Sequence, residues 1–165
     1  MPAVGKSCMG RAISKHFNMK LVDGDKVIER VKGKKLQEIM DAEGLEGFKR
    51  IEEEVLLSIK EDNIIFTPGG SAVYYPAVME HFKENGIVVY LYASADVIKN
   101  RAVDFSKRGV VLKPGMTMDD LYNERAPLFE KYADITVNCD GTAFGKYKAD
   151  GIRKIEKYLK KAEQK

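Results

Sequence analysis

The sequence predicts a three-layer α/β/α domain built on a parallel sheet. Three observations carry this expectation. Short apolar runs alternate with longer amphipathic stretches along the whole chain. Most of the short runs are continuous stretches of β-branched and aromatic residues, the pattern of strands covered on both faces. A Gly-Lys-Ser turn opens the first helical stretch, at the head of the alternation.

Four strands are expected, at Lys20–Val22, Asn63–Thr67, Gly86–Leu91 and Ile135–Asn138. Helical patterns lie between and around them. The first runs from Lys6 to about Phe17. The second runs from Leu45 to Lys60, with Phe48, Ile51, Val55, Leu56 and Ile59 on one face. Others cover Pro76–Glu84, Ala95–Phe105, Thr117–Tyr132 and Phe144–Lys161. Thr117 followed by Asp120 has the form of a capped helix start. Strand and helix in alternation place helices on both faces of a parallel sheet.

The 165 residues fit one domain, taken as 1–165, and suffice for a core without disulfides. With 28 basic and 25 acidic residues, the net charge of +3 is too mild to imply nucleic-acid binding. No apolar run is long enough to span a bilayer, and the first residues lack the form of a signal peptide. Cys8 and Cys139 have no metal-ligand spacing, which suits a reducing compartment. A cytoplasmic monomer, bound to neither nucleic acid nor membrane, is the expectation.

The segment MPAVGKSC supplies all but the first glycine of the phosphate-loop pattern G-x-x-x-x-G-K-[ST]. Gly5 allows a tight turn, and the helix N-terminus then presents N–H groups to an anion. Lys6 can set a point charge on phosphate, and the Ser7 hydroxyl can ligate Mg²⁺. In LVDGDKVIE, Asp23 and Asp25 follow a short strand. There they can hold Mg²⁺ through water or accept a proton, or else Asp25 caps the next helix. In FTPGGSAVY a strand runs into small residues that let backbone approach a ligand. Arg125 precedes Ala126-Pro127, where a carboxylate clamp and a structural ion pair are equally open readings.

Taken together, GKSC-x-GR, VDGDKVIE, EGFKRIEEEVL, TPGGSAV, VVYLYAS and ERAPLFEKYADI occur in the order and spacing of shikimate kinases, which the chain resembles from Met1 to about Cys139. The resemblance implies the P-loop kinase fold. It also implies transfer of the ATP γ-phosphoryl, with Mg²⁺, to a hydroxyl of a small hydroxylated carboxylic acid, shikimate in the first instance. Carried over, it places Gly5, Lys6, Ser7, Cys8, Arg101 and Arg108 around ATP, and Ser7 and Asp23 at the metal. Asp25, Lys49, Gly69, Gly70, Ser71 and Arg125 fall around the acceptor. Lys6, Asp25 and Arg108 are the implied catalytic set, Arg108 lying on a lid at about 106–118.

Several positions depart from the family pattern. Lys49 stands where an Arg is usual and cannot match its two-pronged grip on a carboxylate. Ser71 replaces a third glycine, Gly109 follows Arg108 in place of Pro, and Cys8 replaces a Thr. These changes leave open a kinase for a different small acid. The first helix also begins almost at Met1, so the sequence predicts a sheet lacking its N-terminal central strand. Each buried backbone group left unpaired there costs about 1–3 kcal/mol. A truncated or non-catalytic nucleotide-binding domain is therefore a further reading. A gluconate or nucleoside monophosphate kinase is disfavoured by TPGGSAV and ERAPLFEKYADI.

Overall fold

The computed structural model describes residues 1–101, 115–141 and 144–164. The expected alternation is present. Helix α1 (Lys6–Phe17) leads into β1 (Lys20–Asp23), α2 (Gly24–Lys32) and α3 (Leu36–Leu57). Strand β2 (Ile64–Thr67) is followed by a 3₁₀ turn at Ala72–Tyr74 and α4 (Pro76–Asn85). Then come β3 (Val89–Tyr92), α5 (Ala95–Arg101), α6 (Met118–Tyr132), β4 (Ile135–Asn138) and α7 (Phe144–Ala162).

The strands form two parallel pairs. In the first, Leu21 of β1 pairs with Ile65 of β2; in the second, Leu91 of β3 pairs with Val137 of β4. Among the described residues no strand joins β2 to β3. The period of two along each strand sorts the helices into layers. Leu21 and Thr67 face Gly10 of α1, and Val137 faces Gly151 of α7. On the opposite face Val22 packs with residues of α2 and α3, and the Tyr90 ring stacks on Phe129 of α6 at 5.2 Å.

Helix α1 is common to both strand pairs. Its Met9 and Ile13 enter a core with Leu91, Ile135, Val137 and Ile155, which also holds Met1 and Val4. On the other side of the helix, a Cβ on Gly10 would sit 2.7 Å from Thr67 Cγ2 and 3.1 Å from Leu21 Cδ1. Glycine is needed there for α1 to lie so close to the first pair.

Local signals explain most helix ends. Asp23 caps α2, its Oδ1 accepting from the N–H groups of Asp25 and Lys26. The expected helix start at Thr117 holds: its Oγ1 accepts from Asp120 N–H, and the Asp120 carboxylate accepts in return. One helix is longer than expected. The helix expected from Leu45 extends back to Leu36, across a break at Gly44 (φ 67°, ψ −179°). The last residues of the stretch expected at 95–105 lie outside the described residues, as does most of the 106–118 lid.

Candidate active site

The strands deliver the site at their carboxyl ends, where parallel α/β sheets open a crevice. At the mouth of α1, Gly5 has φ 103° and ψ 20°, a left-handed conformation that only glycine takes readily. No side chain caps α1, and its first turn holds no acidic residue. The first-turn N–H groups therefore have no side-chain cap, and the positive end of the helix is suited to an anion. Lys6 is half-buried, whereas Ser7 and Cys8 are exposed.

Two residues from helices that accompany the second strand pair, Tyr147 of α7 and Arg101 of α5, lie on this side. The Tyr147 hydroxyl of α7 comes within 3.2 Å of where a Gly5 side chain would begin. Arg101, at the end of α5, donates from Nη2 to the Cys139 carbonyl at 2.8 Å, and its charge reaches Tyr147. Arg101 thus lies on the same side as Gly5. Cys8 accepts a hydrogen bond from Arg11 at 3.3 Å. Arg108 lies outside the described residues.

The residues expected around the acceptor converge on the turn after β2. A Cβ on Gly69 would meet Glu52 Oε1 at 3.0 Å and both Asp25 Oδ1 and Ser71 Oγ at 3.3 Å. A Cβ on Gly70 would meet Arg125 Nη1 at 2.9 Å. Asp25 is half-buried. Burial, and then the negative charge of Asp23, push its carboxyl above the ordinary range, while Lys6 pulls it back. That influence couples the phosphate turn to the acceptor carboxylate. Asp25 does not cap α2; Asp23 does, which leaves the Asp25 side chain turned to the site.

Arg125 is buried, only 8% exposed. Its Nε donates to the Tyr74 hydroxyl at 3.1 Å, and its guanidinium lies 5.0 Å from the Tyr74 ring centroid. No carboxylate among the described residues lies within ion-pair distance of it. A buried cation of this kind, braced by an aromatic ring, is suited to receive an anion from outside the chain.

Lys49 is held on the helix surface by Glu46, at 2.6 Å, and joins none of the hydrogen bonds of this cluster. Ser71 does join, but its hydroxyl is spent on Glu52 Oε1, at 2.6 Å. Glu52 was not legible as a site residue. It is 2% exposed, and its second oxygen accepts from Tyr75 at 2.8 Å. Burial pushes its carboxyl up, partly offset by the hydrogen bonds from Ser71 and Tyr75.

For a magnesium ion, the exposed Ser7 hydroxyl and one Asp23 carboxylate are hard oxygen donors. Mg²⁺ keeps several waters and takes few protein ligands, so this sparse set fits it. Asp23 also caps α2 through Oδ1.

The sequence model of shikimate kinase matches residues 2–157. The chain belongs to the shikimate kinase family. A shikimate kinase of Thiobacillus denitrificans is 34% identical over 137 residues, 81% of this chain and 75% of that one. One from Mannheimia succiniciproducens is 33% identical over 140 residues, 82% of this chain and 80% of its own. Among solved structures, the shikimate kinase of Acinetobacter baumannii in complex with shikimate superposes with a TM-score of 0.78 at 29% identity. That likeness covers 99% of this chain and 90% of the other. The enzyme from Aquifex aeolicus has a TM-score of 0.77 at 21% identity and shares the fold. Membership of the shikimate kinase family accounts for the phosphate turn and the parallel strands together.

Proposed function

We propose that the chain transfers the γ-phosphoryl group of ATP to a hydroxyl of shikimate. The observation that carries this reading is the convergence of Asp25, Gly69, Gly70 and Arg125 beside the Gly5–Lys6 turn. The first-turn N–H groups and Lys6 bind the donor phosphates. The buried Arg125 receives the acceptor carboxylate. Asp25 accepts the hydrogen bond of the attacking hydroxyl and takes its proton as the new P–O bond forms and the bond to ADP breaks. Magnesium, held through Ser7 and Asp23, would supply charge neutralisation on the phosphates. Arg101 and Tyr147 border the donor side. Positioning and electrostatics suffice for this chemistry.

Shikimate is favoured over a different small acid because two of the departing positions, Lys49 and Ser71, are already paired within the chain. Lys49 is paired with Glu46 and Ser71 with Glu52. No described helix is long and apolar enough to cross a membrane, and a cytoplasmic monomer suits a chain of this composition. The test is coupled ADP release over a panel of hydroxylated acids. Turnover on shikimate, and its loss by about 10²-fold or more in Lys6→Ala with the fold intact, is the expected outcome. An unchanged rate in Lys6→Ala, or preference for another acid, would refute the assignment.

A further inference from the structure

A guanidinium offers two edges to a carboxylate. One is its end, Nη1 with Nη2; the other is its side, Nε with Nη2. The structure treats these edges of Arg125 differently. Nε donates to the Tyr74 hydroxyl at 3.1 Å, and the guanidinium carbon lies 5.0 Å from the centroid of the Tyr74 ring. The Tyr74 hydroxyl is itself oriented, because its own proton is engaged by the Glu124 carboxylate. A lone pair of its oxygen is thereby left for Nε. Burial, and then the bond to Glu124, push the Tyr74 pKa up, so the relay from Glu124 through Tyr74 to Arg125 persists across the neutral range. The end of the fork has no such partner. Nη1 lies against Gly70, where an added Cβ would meet it at 2.9 Å, and neither Nη donates to another described residue. The next residue of that turn, Gly69, is the one that Asp25 Oδ1 approaches.

We propose that Tyr74 is a positioning residue of the site: by occupying Nε it closes the side of the Arg125 guanidinium, so that the acceptor carboxylate docks end-on, on Nη1 and Nη2, against the glycine turn. The inference rests on Arg125 receiving that carboxylate, as proposed above. Its consequence is orientation. Two parallel hydrogen bonds to a planar carboxylate fix its plane as well as its place. Docked end-on, the acceptor presents its hydroxyls to the Asp25 side of the turn. Docked side-on, it would be rotated about the guanidinium and its hydroxyls carried away from Asp25. The two parts of Tyr74 thus do separate things. The ring face attracts the cation, and the hydroxyl selects which edge of it stays open.

The experiment follows the side-chain N–H signals of the ¹⁵N-arginine-labelled chain by NMR, with Arg125 assigned by its absence in Arg125→Lys. Adding shikimate without nucleotide is expected to shift the Arg125 Nη signals and to leave its Nε–H in place. In Tyr74→Phe, which keeps the ring, the Nε–H should become responsive to shikimate. Kinetics separate positioning from binding. Tyr74→Phe should lower kcat by about tenfold or more, the scale of a misoriented reactant, while the Kd for shikimate from calorimetry stays within about threefold of wild type. A wild-type Nε–H that moves together with the Nη signals would overturn the proposal, and so would a kcat within about twofold of wild type in a folded Tyr74→Phe. If that variant does not fold, the wild-type titration decides alone. Arg125 signals that ignore saturating shikimate altogether would refute the clamp of the functional reading and this inference with it, whereas Nε–H and Nη signals moving together refute the choice of edge and leave the clamp standing.

Discussion

Gly70 gives a sharp test of the acceptor clamp. Its φ is not in the left-handed region, so alanine is tolerated by the backbone. The new Cβ would sit 2.9 Å from Arg125 Nη1, several tenths of an ångström inside ordinary contact. The obstacle is the tip of a long side chain, so the guanidinium gives way and the fold does not. Displacing it removes one charge-assisted hydrogen bond to the acceptor carboxylate, worth about 1.5–3 kcal/mol. That converts to a roughly 10- to 150-fold loss in kcat/KM for the acceptor. The KM for ATP should stay within about twofold, since Gly5 and Lys6 are untouched. Steady-state kinetics with each substrate varied in turn, beside a thermal melt, reads all three quantities. An acceptor kcat/KM within about twofold of wild type would refute the clamp.

Further expectations separate stability from chemistry. Gly10→Ala puts a Cβ 2.7 Å from Thr67 Cγ2 and 3.1 Å from Leu21 Cδ1, a clash inside the α1 packing. Overpacking of this kind costs about 1–3 kcal/mol, to be read as a lowered Tm or denaturant midpoint. Glu52 is expected to make stability fall as pH rises. Burial raises its folded pKa above the unfolded value. Its favourable contribution is therefore full below the unfolded carboxylate range and is lost as pH climbs through the raised folded value. Glu52→Gln lacks that titration. Its stability relative to wild type should improve from acid toward neutral pH, and a pH-independent difference in denaturation midpoints would contradict this.

The strands were legible because NIIFT, VVYL and ITVN are dense in β-branched and aromatic residues with no competing helical period. Helix α2 was harder to see. Its GDKVIERVK has few apolar positions, and what fixes its start is the carboxylate of Asp23, whereas the sequence offered Asp25 as the alternative cap. Helix α3 extends N-terminally past Gly44, a residue whose left-handed φ reads as a stop in sequence. Within the candidate site, Gly5 and Lys6 were singled out by motif and Arg125 by the family resemblance. Glu52 was not, since the hydroxyls that define it come from residues 19 and 23 positions away. Lys49 shows the converse. Its motif position suggested an acceptor contact, while a neighbour one helical turn away, Glu46, holds it at the surface.

The split sheet has a thermodynamic consequence. Among the described residues β2 and β3 share no ladder, and α1 packs on both strand pairs. Asp25, Glu52 and Gly69 belong to the first pair's end of the crevice, Arg101 and Tyr147 to the second's. If the proposed function holds, substrates filling the crevice from both ends would tie the two strand pairs to each other. Binding selective for the folded state stabilises by RT ln(1 + [L]/Kd), about 2.7 kcal/mol at a hundredfold excess over Kd. On that reading the nucleotide and its acceptor act as removable mortar between the two pairs, and binding of each is expected to tighten the grip on the other.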